Sequence, residues 1–191
     1  MATRKQKEKR QIRYTSAKER AEKHESGFEP TSLVRPEGKE FFKFKRAGVY
    51  RIDVIPYIVG KGNPWADEGM CHYERTYWVH RGIGADSQTY CCLKKTSGKK
   101  CPICEEVARM KRDPGADRDA IKELEPKERQ LWNVIDLNDS GKGVQLLDQS
   151  HFLFGKAIDN KIKDADEEDN YANFAHLEDG LTLKLSVLVV S

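Results

Sequence analysis

His80-Arg81-Gly82-Ile83-Gly84-Ala85-Asp86-Ser87-Gln88-Thr89-Tyr90-Cys91-Cys92-Leu93-Lys94-Lys95-Thr96-Ser97-Gly98-Lys99-Lys100-Cys101-Pro102-Ile103-Cys104 holds four of the chain's five cysteines. Cys101 and Cys104 form a Cys-x-x-Cys on a Pro-containing turn, the spacing of a metal knuckle. Either Cys91 or Cys92 supplies a third thiolate. Neighbouring residues of a strand point to opposite faces, so one of the two faces the metal, and Cys92, nearer the loop, is favoured. The fourth ligand is His80 or His72, and His80 closes the shorter loop. Three thiolates and one imidazole fill a tetrahedron, so the spacing predicts one structural zinc that folds a loop too polar to pack by itself.

Outward from this stretch, the chain alternates short strands with turns. Val49-Tyr50-Arg51-Ile52-Asp53-Val54-Ile55 alternates apolar and polar residues and stops at Pro56. Tyr73 to His80 is a second, aromatic-rich strand, and Leu131 to Leu137 a third. The turn Asn138 to Gly143 leads into Val144-Gln145-Leu146-Leu147, and Leu181 to Val190 reads as the last strand. Helices are expected from Cys101 to Lys111, from Asp117 to Leu124, and from a Ser150 cap through Ile162. The acidic run Asp164 to Asp169 is a loop. The final strand runs to Ser191 with no polar exit, the pattern of a chain cut short. The pattern is mainly β, and a five-stranded Greek-key barrel of the OB type suits it, with an inserted zinc subdomain at about 72–112 and short helices; an SH3-like barrel would read similarly.

At 191 residues and 38% apolar composition, one core and a tail are expected, with order beginning near Phe28. The tail, residues 1–28, is basic: the first 23 residues carry nine Lys or Arg against Glu8, Glu19 and Glu22. No apolar run spans a bilayer and no signal peptide is recognisable, so no membrane partner and a cytoplasmic location are expected. In a reducing compartment, clustered cysteines read as metal ligands rather than disulfides.

Net charge is only +3, so any anion-binding surface must come from segregated charge. Lys94, Lys95, Lys99 and Lys100 lie between the thiolates, Lys111 and Arg112 follow at the end of the next helix, and Arg75 lies within the second strand and Arg81 just after it. Tyr73, Tyr77 and Tyr90 are expected to reach solvent, whereas Trp78 and Trp132 read as core. Cations beside flat rings suit single strands, because phosphates release counterions and bases stack on aromatic faces. No helix-turn-helix, finger array or long basic helix argues for duplex reading.

His72-Tyr73-Glu74 with Cys101-Pro102-Ile103-Cys104 imitates the zinc nucleobase deaminases. The imitation fails because Lys100, not proline, precedes Cys101, and because the His-x-Glu lies on a strand. No P-loop, dinucleotide fingerprint or nucleophile triad is present, so no enzymatic activity is expected. A zinc-containing protein-interaction or transcription-regulating module is the alternative reading.

Together, Tyr50 to Pro56, Trp78-Val79-His80, Cys91-Cys92 through Cys104, Leu131 to Ile135 and Gly180 to Val189 resemble the T-even bacteriophage single-stranded DNA-binding protein and its relatives in other phages. The match runs in the same order from about Glu40 to the end. The resemblance implies an OB-fold core, residues 29–191, with a structural zinc and a basic, aromatic cleft for single-stranded DNA. It also implies work in phage DNA replication, recombination and repair, contact with replication proteins, and location in the bacterial host cytoplasm. Cooperative self-association along DNA is implied through a basic N-terminal segment, here Thr3-Arg4-Lys5 to Arg10. The chain departs from that family in the shorter spacing from His80 to the cysteines, in a longer N-terminal tail, and in lacking the family's acidic C-terminal tail. Cys91 rather than Cys92 gives the family's spacing to Cys101.

Overall fold

A computed structural model of the chain describes residues 40–85 and 87–188. The basic tail, the expected start of order near Phe28 and the final Val189 and Val190 lie outside these residues.

The protein is mainly β, an antiparallel sheet decorated by short helices. Strand β1 is Gly48–Val54, β2 Tyr57–Ile58, β3 Cys71–His72, β4 Glu74–Ile83, β5 Gln88–Cys91, β6 Lys127–Asp136, β7 Val144–Ser150 and β8 Leu183–Val187. The helices are α1 Leu93–Ser97, α2 Pro102–Met110, α3 Arg118–Leu124 and α4 Lys156–Lys163. Six strands make the main sheet in the order β5-β4-β6-β1-β8, with β7 also paired to β6, while β2 and β3 form a separate ribbon. Among the described residues the sheet does not close on itself.

β6 organises the sheet because it serves three neighbours. Along one edge, β4 pairs with its first half, from Glu74 opposite Trp132 to Val79 opposite Lys127. β1 takes the other half of that edge, with Val54 opposite Val134. β7 runs along the opposite edge from Arg129 to Ile135. Opposed residues share a face, so one face carries Ile52, Val54, Trp132, Val134 and Leu147, all buried. These make the core with Phe42, Tyr73, Ile162 and Phe174. Phe42 reaches it through a short parallel contact with β7, its N–H donating to the Leu146 carbonyl at 2.9 Å.

Tyr73 corrects the sequence reading. Only 5% of it is exposed. It stacks on Trp132 at 5.4 Å and meets Phe174 edge-on at 4.8 Å. The cause is a break in pairing at Tyr73 between β3 and β4, which resets the strand alternation and turns the ring inward. Tyr73→Ala is expected to cost about 3–5 kcal/mol, as for other large aromatic truncations, read as a lower urea midpoint. A loss below 1 kcal/mol would place the ring outside the core.

The expected helix from Ser150 is really two windings. His151–Gly155 forms a π-helical turn, and α4 follows. Ser150 makes no side-chain cap bond. Gly155 packs so closely on the Gln130 amide that a Cβ there would collide with it, which ties the turn to β6. The last strand is likewise shorter than expected, ending at Val187 with Leu188 already in a bend. Trp78, read as core, is only half-buried.

The β2–β3 ribbon is anchored by Tyr57. Its hydroxyl donates to the Glu74 carbonyl at 2.8 Å and accepts from Asn63 Nδ2 at 3.1 Å. Burial raises its pKa to about 12, against the opposing pull of Arg75. A raised tyrosine pKa means the fold favours the neutral phenol, so its stabilisation is complete below the unfolded value near ~10 and vanishes as pH climbs through about 12. The urea midpoint should therefore fall between pH 10 and 12, and less steeply in Tyr57→Phe. Identical profiles for the two proteins would refute this role.

Candidate metal centre and basic surface

His80, Cys92, Cys101 and Cys104 place their ligand atoms within 4.8 Å of one another. Cys101 Sγ and Cys104 Sγ lie 3.4 and 3.5 Å from His80 Nε2, and Cys92 Sγ lies 3.4 Å from Cys104 Sγ. Metal bonds of ~2.0–2.3 Å in a tetrahedron give edges of roughly 3.5–3.8 Å, so these separations fit a four-coordinate metal. Three cysteines and one histidine in this geometry suggest a structural metal.

Each ligand is set by local structure. In the β4–β5 hairpin, His80 is opposite Tyr90 and Val79 opposite Cys91. One residue on, the Cys92 N–H donates to the Trp78 carbonyl at 2.8 Å. Trp78, His80, Tyr90 and Cys92 therefore share one face, and Cys91 falls on the other. Cys91 is exposed, with its thiol 3.5 Å from Thr96 Oγ1. Register thus separates two cysteines that sequence spacing leaves nearly equivalent.

Cys92 also caps α1, its sulfur accepting the Lys95 N–H at 3.4 Å. Thr96, buried under that helix, accepts the Trp78 N–H at 3.0 Å and pins α1 to β4. Gly98 ends α1 with φ of 67°, a left-handed conformation that glycine adopts freely. Cys101 then stands at the N-cap of α2 with Pro102 in its first turn, where proline's missing N–H costs nothing. Cys104 follows one turn later. His80 is oriented from behind: its Nδ1 lies 2.7 Å from the Leu124 carbonyl at the end of α3. That bond makes Nδ1 the donor and leaves Nε2 as the lone pair facing the sulfurs. A backbone carbonyl has no sequence signature, so this partner was invisible beforehand.

The thiols have divergent acidities. Burial pushes Cys101 up, but the Cys104 N–H, the His80 ring and further hydrogen bonds outweigh it and bring the pKa down to about 6. Burial and the neighbouring Cys92 and Cys101 sulfurs push Cys104 up to about 12, and burial foremost raises Cys92. One sulfur is comfortable as a thiolate and the others resist a second negative charge. A divalent cation resolves this by replacing the protons.

Cys71 is buried in the β2–β3 ribbon, and burial raises its thiol pKa. Neither it nor His72 joins the cluster. Glu74, the other half of the deaminase-like pair, is fully buried and accepts from Gln130 Nε2 at 2.6 Å.

The basic residues named from sequence distribute over two faces. Lys94, Lys99 and Lys100 are exposed and gather around the sulfurs, lining with Cys101, Cys104 and Glu105 a cavity of about 270 Å³. Lys95 is half-buried. Tyr90, 51% exposed, sits on this same face of the hairpin. Arg75 and Tyr77 alternate onto the opposite face of β4. There Tyr77 is half-buried and donates to Asp148 at 2.7 Å, and Arg129, opposite Tyr77, donates to the same carboxylate at 2.8 Å. Burial and the Asp148 carboxylate raise the Tyr77 pKa strongly. Arg81 is exposed within the irregular stretch of β4 between His80 and Ile83, and Lys111 and Arg112 are exposed after α2, with Lys111 paired to Glu125 at 2.6 Å.

Sequence reading missed three residues. Arg129 and Lys127 share the face of Tyr77, and strand alternation through Lys127-Glu128-Arg129 would have revealed it. Phe152 is 73% exposed with the Lys156 ammonium 5.6 Å over its ring; a residue expected inside a helix gave no sign of it. No protein-family model, curated protein or solved structure matches this chain. Among the described residues no helix is long and apolar enough to cross a membrane.

Proposed function

We propose that this chain is a non-catalytic, sequence-independent single-stranded DNA-binding protein of the type found in T-even phages, built on an OB-type sheet with one structural zinc. One observation carries the reading. Lys94, Lys99, Lys100 and Arg81 make no ion pair among the described residues. Three of these four cations surround the metal cluster. An uncompensated cationic group held on a rigid frame favours a polyanion through counterion release.

The remaining features support the same reading. His80 Nε2 and the three sulfurs suit zinc, whose bonds to nitrogen and sulfur are ~2.0 and ~2.3 Å, and leave no open position for a substrate. When bound, the metal supplies cross-linking of β4 to α1 and α2 rather than reactivity. Tyr90 offers a ring beside the lysines, and a base stacked there contributes ~1–3 kcal/mol. The mainly antiparallel sheet, in which β6 pairs with β4, β1 and β7, suits the OB-type reading. Coating and protecting single strands during phage replication, recombination and repair follows from the resemblance, as do cooperative self-association and contact with replication proteins.

The deciding experiment is fluorescence anisotropy of zinc-loaded full-length chain with oligo-dT, the matching duplex and an RNA of equal length. Single-stranded DNA should bind about tenfold or more tighter than duplex, the margin one stacked base provides. Equal affinities would overturn the reading. Preference for an acidic polypeptide over every nucleic acid would favour a zinc-containing interaction module instead.

A further inference from the structure

A second surface lies away from the metal cluster and is independent of the DNA-binding reading. Between α4 and β8 runs a cavity of about 340 Å³. Its helical wall is the stripe Phe154, Ile158 and Ile162, with Lys161 at the rim. Its other wall is Leu181 through Leu185. Successive strand residues point to opposite faces, so a cavity lined by three in a row of β8, Leu183, Lys184 and Leu185, borders the strand's backbone edge. Among the described residues β8 is hydrogen-bonded to β1 alone, which leaves that edge with unused N–H and C=O groups. Such an edge is a template for a further strand.

Charge limits what the added strand can be. Lys161 and Lys184 are both exposed at the groove, and neither has an ion-pair partner among the described residues. A second copy's β8, Leu183-Lys184-Leu185-Ser186-Val187, brings another lysine and no acid. We propose that this groove docks an extended peptide segment of a partner protein, in which acidic residues alternate with apolar ones, as an added strand on the β8 edge. Main-chain bonds to β8 supply the pairing, the apolar side chains enter the stripe of α4, and the carboxylates meet Lys161 and Lys184. Five residues of β8, at ~3.3 Å each, match a segment of about five to seven residues.

The probe is a fluorescein-labelled heptapeptide in which Asp alternates with Leu, titrated by anisotropy into full-length chain. Controls are the Lys-Leu counterpart and an Asp-Leu peptide N-methylated on alternate backbone nitrogens. Binding of the Asp-Leu peptide should weaken at least tenfold in the Lys161→Glu/Lys184→Glu double variant, and be lost on N-methylation. Saturating oligo-dT should leave it in place, and the double variant should bind oligo-dT like the parent. Equal binding of the acidic and basic peptides, indifference to the double variant or to N-methylation, displacement by oligo-dT, or no binding overturns the proposal. So does dimerisation through β8 in sedimentation, because a second copy would then occupy the edge. The N-methyl peptide keeps the test decisive should the double variant fold poorly.

Discussion

Stripping the metal from the purified chain is expected to lower its thermal midpoint by more than ~10 °C and to abolish a single cooperative transition. The four ligands come from β4, the α1 cap and the α2 N-terminus. Without a cation, Cys92 and Cys104 must stay protonated beside the Cys101 thiolate, and the bonds of Thr96 to Trp78 and the Lys111–Glu125 pair are left to hold α1 and the end of α2. Structural zinc contributes about 10–16 kcal/mol to the folding of zinc-finger peptides. Here the main sheet has its own core, so a fraction of that is at stake. A loss of ~5 kcal/mol corresponds to roughly 10–20 °C for a chain of this size. Elemental analysis should find about one zinc per chain, falling near zero in Cys101→Ser, Cys104→Ser and His80→Ala. Cys91→Ser and Cys71→Ser should retain it. Purified protein with no metal, or Cys91→Ser losing it while Cys92→Ser keeps it, would refute the assignment.

The second large effect concerns DNA affinity. Replacing Lys94, Lys99 and Lys100 together by alanine removes three free cations whose side chains point to solvent, so folding and metal content should survive. For single strands, log K falls with log salt at about −0.7 per neutralised phosphate. The triple variant should thus show a slope shallower by about 2, and affinity near ~0.1 M salt should drop by about 100-fold. Lys122→Ala and Lys142→Ala are the comparison, because those ammonium groups already pair with Asp119 and Asp139. They should change affinity little. An unchanged slope in the triple variant would remove the metal-side lysines from the DNA surface, whatever the protein binds elsewhere.

Much of the metal centre was readable because its chemistry is compact in sequence. The Cys-x-x-Cys of Cys101 and Cys104 and the upstream His80 need only spacing to recognise. The choice of Cys92 over Cys91 depends on hairpin register, which a single sequence constrains weakly and the backbone settles. Strand β6 was read from Leu131 onward, its first half from Lys127 to Gln130 being missed, and β1 followed from alternation, since one side of it meets the core. Tyr73 did not, because the pairing break before β4 reverses its side without any residue that announces a break. The π-helical turn after Ser150 was equally silent: it ends where Gly155 packs closely on Gln130, a tertiary contact with no local sequence signal. The basic residues were identifiable as a set, but not their division between the two faces of β4, which follows from parity along the strand.

His80 sits on a strand that is at once a wall of the core and a side of the metal centre, and its neighbour across the hairpin is the exposed Tyr90. The sulfurs and the lysines that frame them therefore belong to one mechanical unit. Thermodynamic reciprocity then applies: whatever factor the metal adds to affinity for a polyanion on those lysines, the polyanion adds to affinity for the metal. Were the proposed DNA binding strengthened by the metal, a chain lying on DNA would hold that metal more tightly, by the same factor, than the chain free in solution.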